Sequence, residues 1–373
     1  MFNVLLRFRR YPIALACDIR EMYLQIRIPA VERSYFRFLW RDLETDRRPD
    51  VYEFERIVFG DASAPFRAQF VAQENARCHK ETFPLAAETI EKSTYMDDSL
   101  DSARTEEEAI ELYNQLDSLW KLASMEPRKW VSNSSSVLEN IPSEKRASHV
   151  DLEYGTIPSI RTLGVLWLAK DDVFSFQVEV VINVPFTKRS LLSRVAKIFD
   201  PLGFISPFVL RAKILLQELC TQGLGWDDPV EGDSYREAKA WLEELENLKS
   251  ISIPRCLQMT RDDEFITVHT FVDASKVAYG AVSYLRVEHL DGRIEVNIIA
   301  SKTRVAPLTP VSIPRLELLA AVLGLLLTSA ITEALGLPIS MVRFWCDSMN
   351  VLLWIRGRGR QFRPFVANRV GLI

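Results

Sequence analysis

The spacing of apolar and polar positions changes repeatedly along this chain, and each change predicts an element. The apolar run Ile13-Ala14-Leu15-Ala16-Cys17 closes on Asp18, which predicts a strand whose end presents a carboxylate to a cleft. Met22, Leu24, Ile26 and Ile28 then alternate with polar residues. Segments 36–40 and 51–54 keep that two-residue period on either side of a polar stretch, 41–50, and predict a hairpin. A Gly/Ser/Pro turn at 59–66 opens a helix over 65–78, with Pro65 well placed in its first turn. Ser93-Thr94-Tyr95-Met96-Asp97-Asp98-Ser99-Leu100 predicts strand, tight turn and strand. A helix follows over 105–125, where Glu106, Glu107 and Glu108 suit the positive end of the helix dipole. Segment 126–133 holds Lys129 and Trp130, and 162–167 reads as a further strand.

The pattern shifts near Pro185. Residues 188–222 are strongly helical, broken at Asp200-Pro201-Leu202-Gly203, rich in Lys and Arg and poor in acids. A second helix is predicted over 235–249, then a linker at Ser252-Ile253-Pro254. Strands are predicted at 265–273, 278–287 and 295–301, the last two flanking a turn at Asp291-Gly292. A helix over 315–335 carries Glu317 in its first turn, and a strand over 342–346 leads through Asp347-Ser348 into a helix reaching Trp354. No internal repeat recurs at a fixed period.

Composition narrows the function more by exclusion than by assertion. The 373 residues suffice for two or three domains, and 48% apolar with 26% charged residues permits a packed core. A net charge of −4 means that any attraction to a polyanion must be local. Five scattered cysteines form no C-x-x-C pair, which points to a reducing compartment and away from disulfides or zinc. Four histidines with no H-E-x-x-H make zinc hydrolysis a poor fit. Arg7, Arg9 and Arg10 interrupt the first apolar residues instead of preceding them, unlike a secretory signal. The most apolar run, 318–331, is short for a bilayer and normal for a buried helix. The expectation is a soluble chain, not secreted, with no membrane partner.

Two sets of carboxylates carry the candidate chemistry. Asp18, Asp97 and Asp98 each lie at or beside the end of a predicted strand. Neighbouring carboxylates repel, so a structured turn that holds two invites a shared cation, and Mg²⁺ (or Mn²⁺) takes such oxygen ligands. Three converging acids could support in-line displacement at phosphorus, with Tyr23 pressed against a sugar. Asp273, Glu317 and Asp347 form the second set, two at strand ends and one on a helix, now with water as nucleophile. Taken singly, each acid reads first as a solvated cap or turn and Tyr23 as a core aromatic; it is three acids in structural order that bring the catalytic reading level. A phosphate loop, a G-x-S-x-G elbow and the D-[ST]-G of aspartic proteases are missing from the sequence. The basic tract 356–360 with Arg363 suits phosphate contact or a solvated loop.

At these residues the chain resembles the polymerase region of long-terminal-repeat retrotransposons of the BEL/Pao group. Asp18 through Ile26 resembles the first reverse-transcriptase palm motif, with Tyr23 in the place of its steric gate. Phe59-Gly60 through Ser63-Ala64-Pro65-Phe66 resembles the template and nucleotide-positioning motif. Tyr95-Met96-Asp97-Asp98 resembles the palm hairpin, Lys129 the lysine that protonates pyrophosphate, and Leu163-Gly164 the primer-grip turn. Lys188-Arg189, Phe199-Asp200-Pro201-Leu202-Gly203, Lys213, Gln217 and Trp226-Asp227 resemble the Pao connection. Phe271-Val272-Asp273-Ala274-Ser275, Pro314-Arg315-Leu316-Glu317-Leu318 and Trp345-Cys346-Asp347-Ser348 resemble RNase H.

The resemblance implies an α+β and α/β architecture in three parts. Residues 1–185 would be partial fingers and a palm with an antiparallel sheet, 186–255 a helical thumb or connection, and 256–373 a truncated RNase H-like mixed sheet. It implies a reverse transcriptase with RNase H, using Asp18, Asp97, Asp98, Asp273, Glu317 and Asp347 as metal ligands and Lys129 as a catalytic residue. Tyr23, Phe59, Gly60, Ser63, Pro65, Tyr95, Met96, Leu163 and Gly164 would contact substrate. Implied partners are an RNA or DNA primer–template, an RNA–DNA hybrid, deoxynucleoside triphosphates and the rest of a Gag-Pol polyprotein, in the cytoplasm (a virus-like particle) or nucleus. Only 17 residues precede Asp18, so the expectation is that most of the fingers and a fourth nuclease acid lie outside this sequence. Phe59 stands where many retroviral relatives have glutamine, Asp61 adds a charge, and Ala64 replaces a common serine. The alternatives are a non-catalytic nucleic-acid-binding relic and, as a Pao family label over 160–300 would have it, an aspartic peptidase.

Overall fold

The computed structural model describes residues 1–148, 150, 152, 157, 159–178, 185–259, 265–357 and 361–373. The chain divides into two compact units, Ile13–Pro158 (with Met1) and Phe2–Pro12 plus Ser159–Ile373. Helix α1 (Phe2–Phe8) thus precedes the first unit in sequence and belongs to the second.

The first unit is built on β1 (Ile13–Arg20), the apolar run foreseen in the sequence. Leu15, Cys17 and Ile19 all join the core, as alternate residues on one strand face must. The alternation at 22–28 does not continue as a strand. Glu21 takes a left-handed backbone (φ 48°) and starts the helical turn α2 (Met22–Gln25), so only Met22, Ile26 and Ile28 reach the core. After a 3₁₀ turn (Ala30–Tyr35), β2 (Arg37–Trp40) and β3 (Asp50–Glu53) pair as the expected hairpin, with all eight side chains exposed. Helix α3 (Ala64–Cys78) buries Ala64, Ala68, Ala72 and Ala76, a four-residue stripe that allows close packing. Helix α4 (Pro84–Lys92), absent from the sequence reading, joins it.

Strands β4 (Thr94–Tyr95) and β5 (Asp98–Ala103) form the Tyr95 hairpin. Helix α5 (Glu106–Leu122) is capped by the Thr105 hydroxyl, which accepts the Glu108 N–H, and buries Ala109, Leu112, Tyr113, Leu116, Leu119 and Trp120 along one face. Strand β6 (Glu126–Ser132) and the short α6 (Ser135–Glu139) complete the unit. The sheet order is β4-β5-β1-β6, which makes β1 central.

In the second unit the segment expected as one strand at 162–167 is a hairpin. Leu163 and Gly164 both have positive φ (46° and 80°), the mark of a tight primed turn between β7 (Ser159–Thr162) and β8 (Val165–Leu168). Strand β9 (Val173–Ser175) follows. Helices α7 (Lys188–Lys197) and α8 (Ser206–Thr221) flank the predicted break, and α9 (Gly232–Glu244) ends in a 3₁₀ turn. The supposed linker supplies β10 (Ile253–Pro254), the edge of a β10-β9-β8-β7 sheet.

The last sheet runs β13-β12-β11-β14, from β11 (Phe265–Ala274), β12 (Ala278–Glu288), β13 (Ile294–Val305) and β14 (Val342–Trp345). β14 is parallel to β11 and the other pairs are antiparallel. Helix α10 (Ile313–Leu335) starts two residues earlier than expected, with Pro314 in its first turn, so Glu317 sits just beyond that turn. By length and composition alone this helix could cross a bilayer. Here it lies on the sheet: a Cβ added at Gly324 would stand 2.5 Å from Val272, and Thr328 hydrogen-bonds Thr270 at 2.6 Å. Helices α11 (Met349–Arg356) and α12 (Pro364–Val370) close the chain. Arg358, Gly359 and Arg360 of the basic tract lie outside the described residues.

Helix α1 is held to this unit by a fully buried arginine. Arg9 donates to four carbonyl oxygens: Arg255 at 2.9 Å, Ile299 at 2.6 Å, Ile298 at 2.8 Å and Pro254 at 3.1 Å. Burial, then the nearby Arg255, pushes it down to about 9. Arg255, also buried, reaches Asp172 at 2.5 Å and the carbonyl of Pro12 at 2.7 Å.

Candidate active sites

The first acid set forms around the centre of the first sheet. Antiparallel pairing of β1 with β5 makes Asp18 the direct partner of Asp98. The two-residue turn Met96-Asp97 joins Tyr95 to Asp98, with Met96 at φ 58°. The Ile19 N–H donates to the Asp97 carbonyl at 2.8 Å and so fastens the turn to β1. Directly opposed like charges destabilise a strand pair unless a cation is near. One is present: the Lys129 ammonium lies 3.2 Å from Asp18 Oδ2.

A bulge delivers that lysine. Between the pairs Ala16↔Val131 and Asp18↔Arg128, β6 has one residue more than β1, and Lys129 takes φ 54°. A bulge re-aims a side chain that regular alternation would send elsewhere.

The neighbouring aromatics also gather. The Tyr23 hydroxyl meets Met96 Sδ at 3.8 Å, and its ring meets Phe59 edge-on at 5.2 Å. Burial raises the Tyr23 pKa, and Asp97 adds to the shift. Gly60 (φ 94°) carries the chain from Phe59 to Asp61, whose carboxylate accepts the Ser63 N–H at 2.9 Å and the Ser63 hydroxyl. Asp61 therefore shapes the turn in front of Pro65. Leu163 and Gly164 belong to the second unit, where Gly164 lies under the Phe199 ring; an added Cβ would be 2.8 Å from it.

The second acid set follows from the parallel pairing of β11 and β14. Phe271 and Trp345 are register partners, so Asp273 and Asp347, each two residues on, lie at the same end of the sheet. Cys346 directly precedes Asp347 in the chain. Burial raises its thiol pKa; the Ser348 backbone opposes this, while Asp347, Glu317 and Asp273 add to it. Asp273, Cys346 and Asp347 rim a cavity of about 880 Å³.

Hard carboxylate oxygens are the donor chemistry Mg²⁺ prefers, and it commonly takes only one or two protein carboxylates beside substrate phosphates. Among the described residues no three His, Cys, Asp or Glu side chains converge on a single ligating point. What each site offers is an opposed or adjacent pair, Asp18 with Asp98 and Asp273 with Asp347. Asp200 has a different task. Its carboxylate accepts the N–H groups of Phe204 and Ile205, both at 2.9 Å, and burial raises its pKa despite these bonds.

The sequence reading missed the aromatic pair ahead of the second acids. Phe271 and Trp345 lie with centroids 5.8 Å apart and planes at 11°. The available signal was an aromatic-x-Asp order at two strand ends, Phe271-Val272-Asp273 and Trp345-Cys346-Asp347.

Residues 187–348 match the family model of the Pao retrotransposon-like RNaseH-like domain. That description is of an RNaseH-like domain, and with Asp200 spent on a backbone turn the peptidase alternative is left without support. No curated protein matches the chain. Among solved structures, foamy viral protease-reverse transcriptase, determined in complex with an RNA/DNA hybrid, has 14% sequence identity and a TM-score of 0.59. The match covers 99% of this chain and 44% of that one, and at such identity it concerns the fold. The mixed α and β architecture with a reverse-transcriptase-like fold is thereby established, and over residues 187–348 the chain is similar to the RNaseH-like domain of Pao retrotransposons.

Proposed function

We propose that this chain is the polymerase and nuclease portion of a Pao-type retrotransposon Pol polyprotein, acting on nucleic acid by phosphoryl transfer at two carboxylate sites. The observation that carries the polymerase half is the register Asp18↔Asp98 beside the Asp97 turn, with Lys129 brought onto Asp18 by a bulge. In this reading Asp18, Asp97 and Asp98 hold Mg²⁺ or Mn²⁺ at the palm, and Asp273, Glu317 and Asp347 hold it at the nuclease site. The bound cation would activate the attacking oxygen and stabilise the leaving one.

The chain's own residues do the positioning. Tyr23, backed by Phe59, sets the sugar's place, while Lys129 orients Asp18 and is a proton donor to the departing diphosphate. Substrates are a primer–template with deoxynucleoside triphosphates at the first site and the RNA strand of an RNA–DNA hybrid at the second. Support for a nucleic-acid partner comes from the RNA/DNA hybrid held by the similarly folded foamy viral protein.

The test is Mg²⁺-dependent primer extension, expected to vanish in Asp97→Asn and Asp98→Asn, with hybrid cleavage expected to vanish in Asp273→Asn and Asp347→Asn. Salt-sensitive binding to primer–template without turnover in the unsubstituted chain would instead favour the relic reading. The lack of a three-acid ligating group among the described residues is the observation on that side.

A further inference from the structure

We propose that Arg27 and Arg56 form a phosphate-binding pair at the end of α2. The two residues are partners in an antiparallel bridge. The Ile57 N–H donates to the Ile26 carbonyl at 3.0 Å and the Ile28 N–H to the Glu55 carbonyl at 2.9 Å, so the bonds flank the pair and none joins it. Such a position brings facing Cα atoms to about 4.5 Å, with side chains at their closest. Ile26, Ile28 and Ile57 are buried in the core of the first unit, and alternation sends the exposed Arg27 to the opposite face. The bridge therefore sets two arginines side by side.

Like charges directly opposed on neighbouring strands are unfavourable without a counter-ion. Asp18 and Asp98 have Lys129 for that purpose. Arg27 and Arg56 have no such partner among the described residues. Arg27 makes no hydrogen bond or ion pair there, and Arg56 makes one bond, from Nη1 to the Gln25 carbonyl at 2.6 Å. The acids of the adjoining segments are engaged elsewhere: Glu55 with Arg33 at 2.7 Å, Glu53 with Arg37 at 2.6 Å and Glu32 with Arg67 at 3.2 Å. Arg56 is held in place while Arg27 is uncommitted.

Phosphate is the anion that fits. Each guanidinium presents a planar fork of N–H donors that matches two phosphate oxygens. Placement points the same way. The Gln25 carbonyl that holds Arg56 ends α2, the turn that carries Tyr23, and Phe59, three residues beyond Arg56, meets the Tyr23 ring. The inference rests on the proposed action of the first unit on nucleic acid, and adds a phosphate contact that needs no divalent cation. A nucleic-acid strand and a nucleoside triphosphate both carry the group, and binding separates them.

The experiment uses the full chain in EDTA, which strips cations from the carboxylate sites. A fluorescein-labelled primer–template is followed by anisotropy and inorganic triphosphate by calorimetry. Affinity should fall about tenfold in Arg27→Gln, for the first probe if the phosphate belongs to a strand and for the second if it belongs to a nucleotide. Arg27→Gln/Arg56→Gln should lose less than the product of the single losses, because both arginines touch one phosphate. Arg56→Lys takes the place of Arg56→Gln in this cycle if thermal melts show the latter unfolded. The melting temperature of Arg27→Gln should be unchanged or higher, since Arg27 holds nothing and its charge opposes Arg56; a structural role would lower it. Undiminished affinity of Arg27→Gln for both probes overturns the proposal. So does a loss no greater than in Arg48→Gln, an arginine equally without a partner among the described residues but in the loop between β2 and β3. An equal loss for a polyglutamate peptide would assign the pair to an acidic protein and overturn it too. Where failure comes with tight primer–template binding, the proposed function stands; where no primer–template binds, both fall.

Discussion

Lys129 was legible in the sequence as a residue and not as a position. A lysine in a strand has two faces available, and only the extra residue in β6 together with φ 54° turns it towards Asp18. The pair is exposed, so Lys129→Gln should change stability by less than about 1 kcal/mol in urea melts. Primer extension, by the proposed role, should drop by at least tenfold; unchanged extension would remove Lys129 from the mechanism. Arg9 is the opposite case. Replacing it by leucine leaves four carbonyls without their donor, and unpaired buried polar groups are costly, so unfolding should come easier by about 2–4 kcal/mol.

His269 carries a pH effect. Burial, then Arg286 and Arg343, holds its pKa below the usual 6.5. The unfolded chain therefore takes up this proton first as pH falls. Its contribution to stability is intact above 6.5 and is lost as pH drops from there towards the folded-state value. His269→Gln should flatten that part of the stability–pH curve.

At the scale of elements, turn chemistry decided what periodicity left open. Residues 162–167 read as one strand, but the positive φ of Leu163 and Gly164 folds the segment into two. Alternation at 22–28 was likewise interrupted once Glu21 entered the left-handed region. The break at Asp200-Pro201-Leu202-Gly203 was legible because proline and glycine announce it. Its tight fit to β13 was not. Gly203 has φ 75°, an added Cβ would stand 2.1 Å from the Ser301 carbonyl oxygen, and the Ser301 N–H donates to Leu202 at 2.8 Å. Gly203→Ala meets backbone as well as strain, and should destabilise the chain by about 3 kcal/mol or more in denaturant melts. A change below 1 kcal/mol would mean that the turn can move off the strand.

At the scale of the whole molecule, the surprise is residues 2–12. They precede β1 yet pack with residues from 159 onward, through Arg9 and Arg255. Removing residues 1–10 from the full chain should therefore raise hydrogen exchange in β10 and β13 and leave that of β1, β5 and β6 close to its original value. Nothing in local pattern announces such a link, because an arginine whose hydrogen bonds go to carbonyls and whose face lies over Phe204 has no charge complement to search for.

What the sequence determined by itself was the inventory: strands and helices with their periods, six acids at or near element ends, and motifs in an order that resembles one family. Local chemistry suffices for these, since caps, turns and burial periods act over a few residues. What only the tertiary structure decided was which residues face one another. The opposition of Asp18 and Asp98, the delivery of Lys129 by a bulge, the placing of Asp273 and Asp347 at the same end of the sheet, and the aromatic pair ahead of them all depend on strand register. Register is set by pairing between distant segments, where a slip of one residue sends every side chain to the other face.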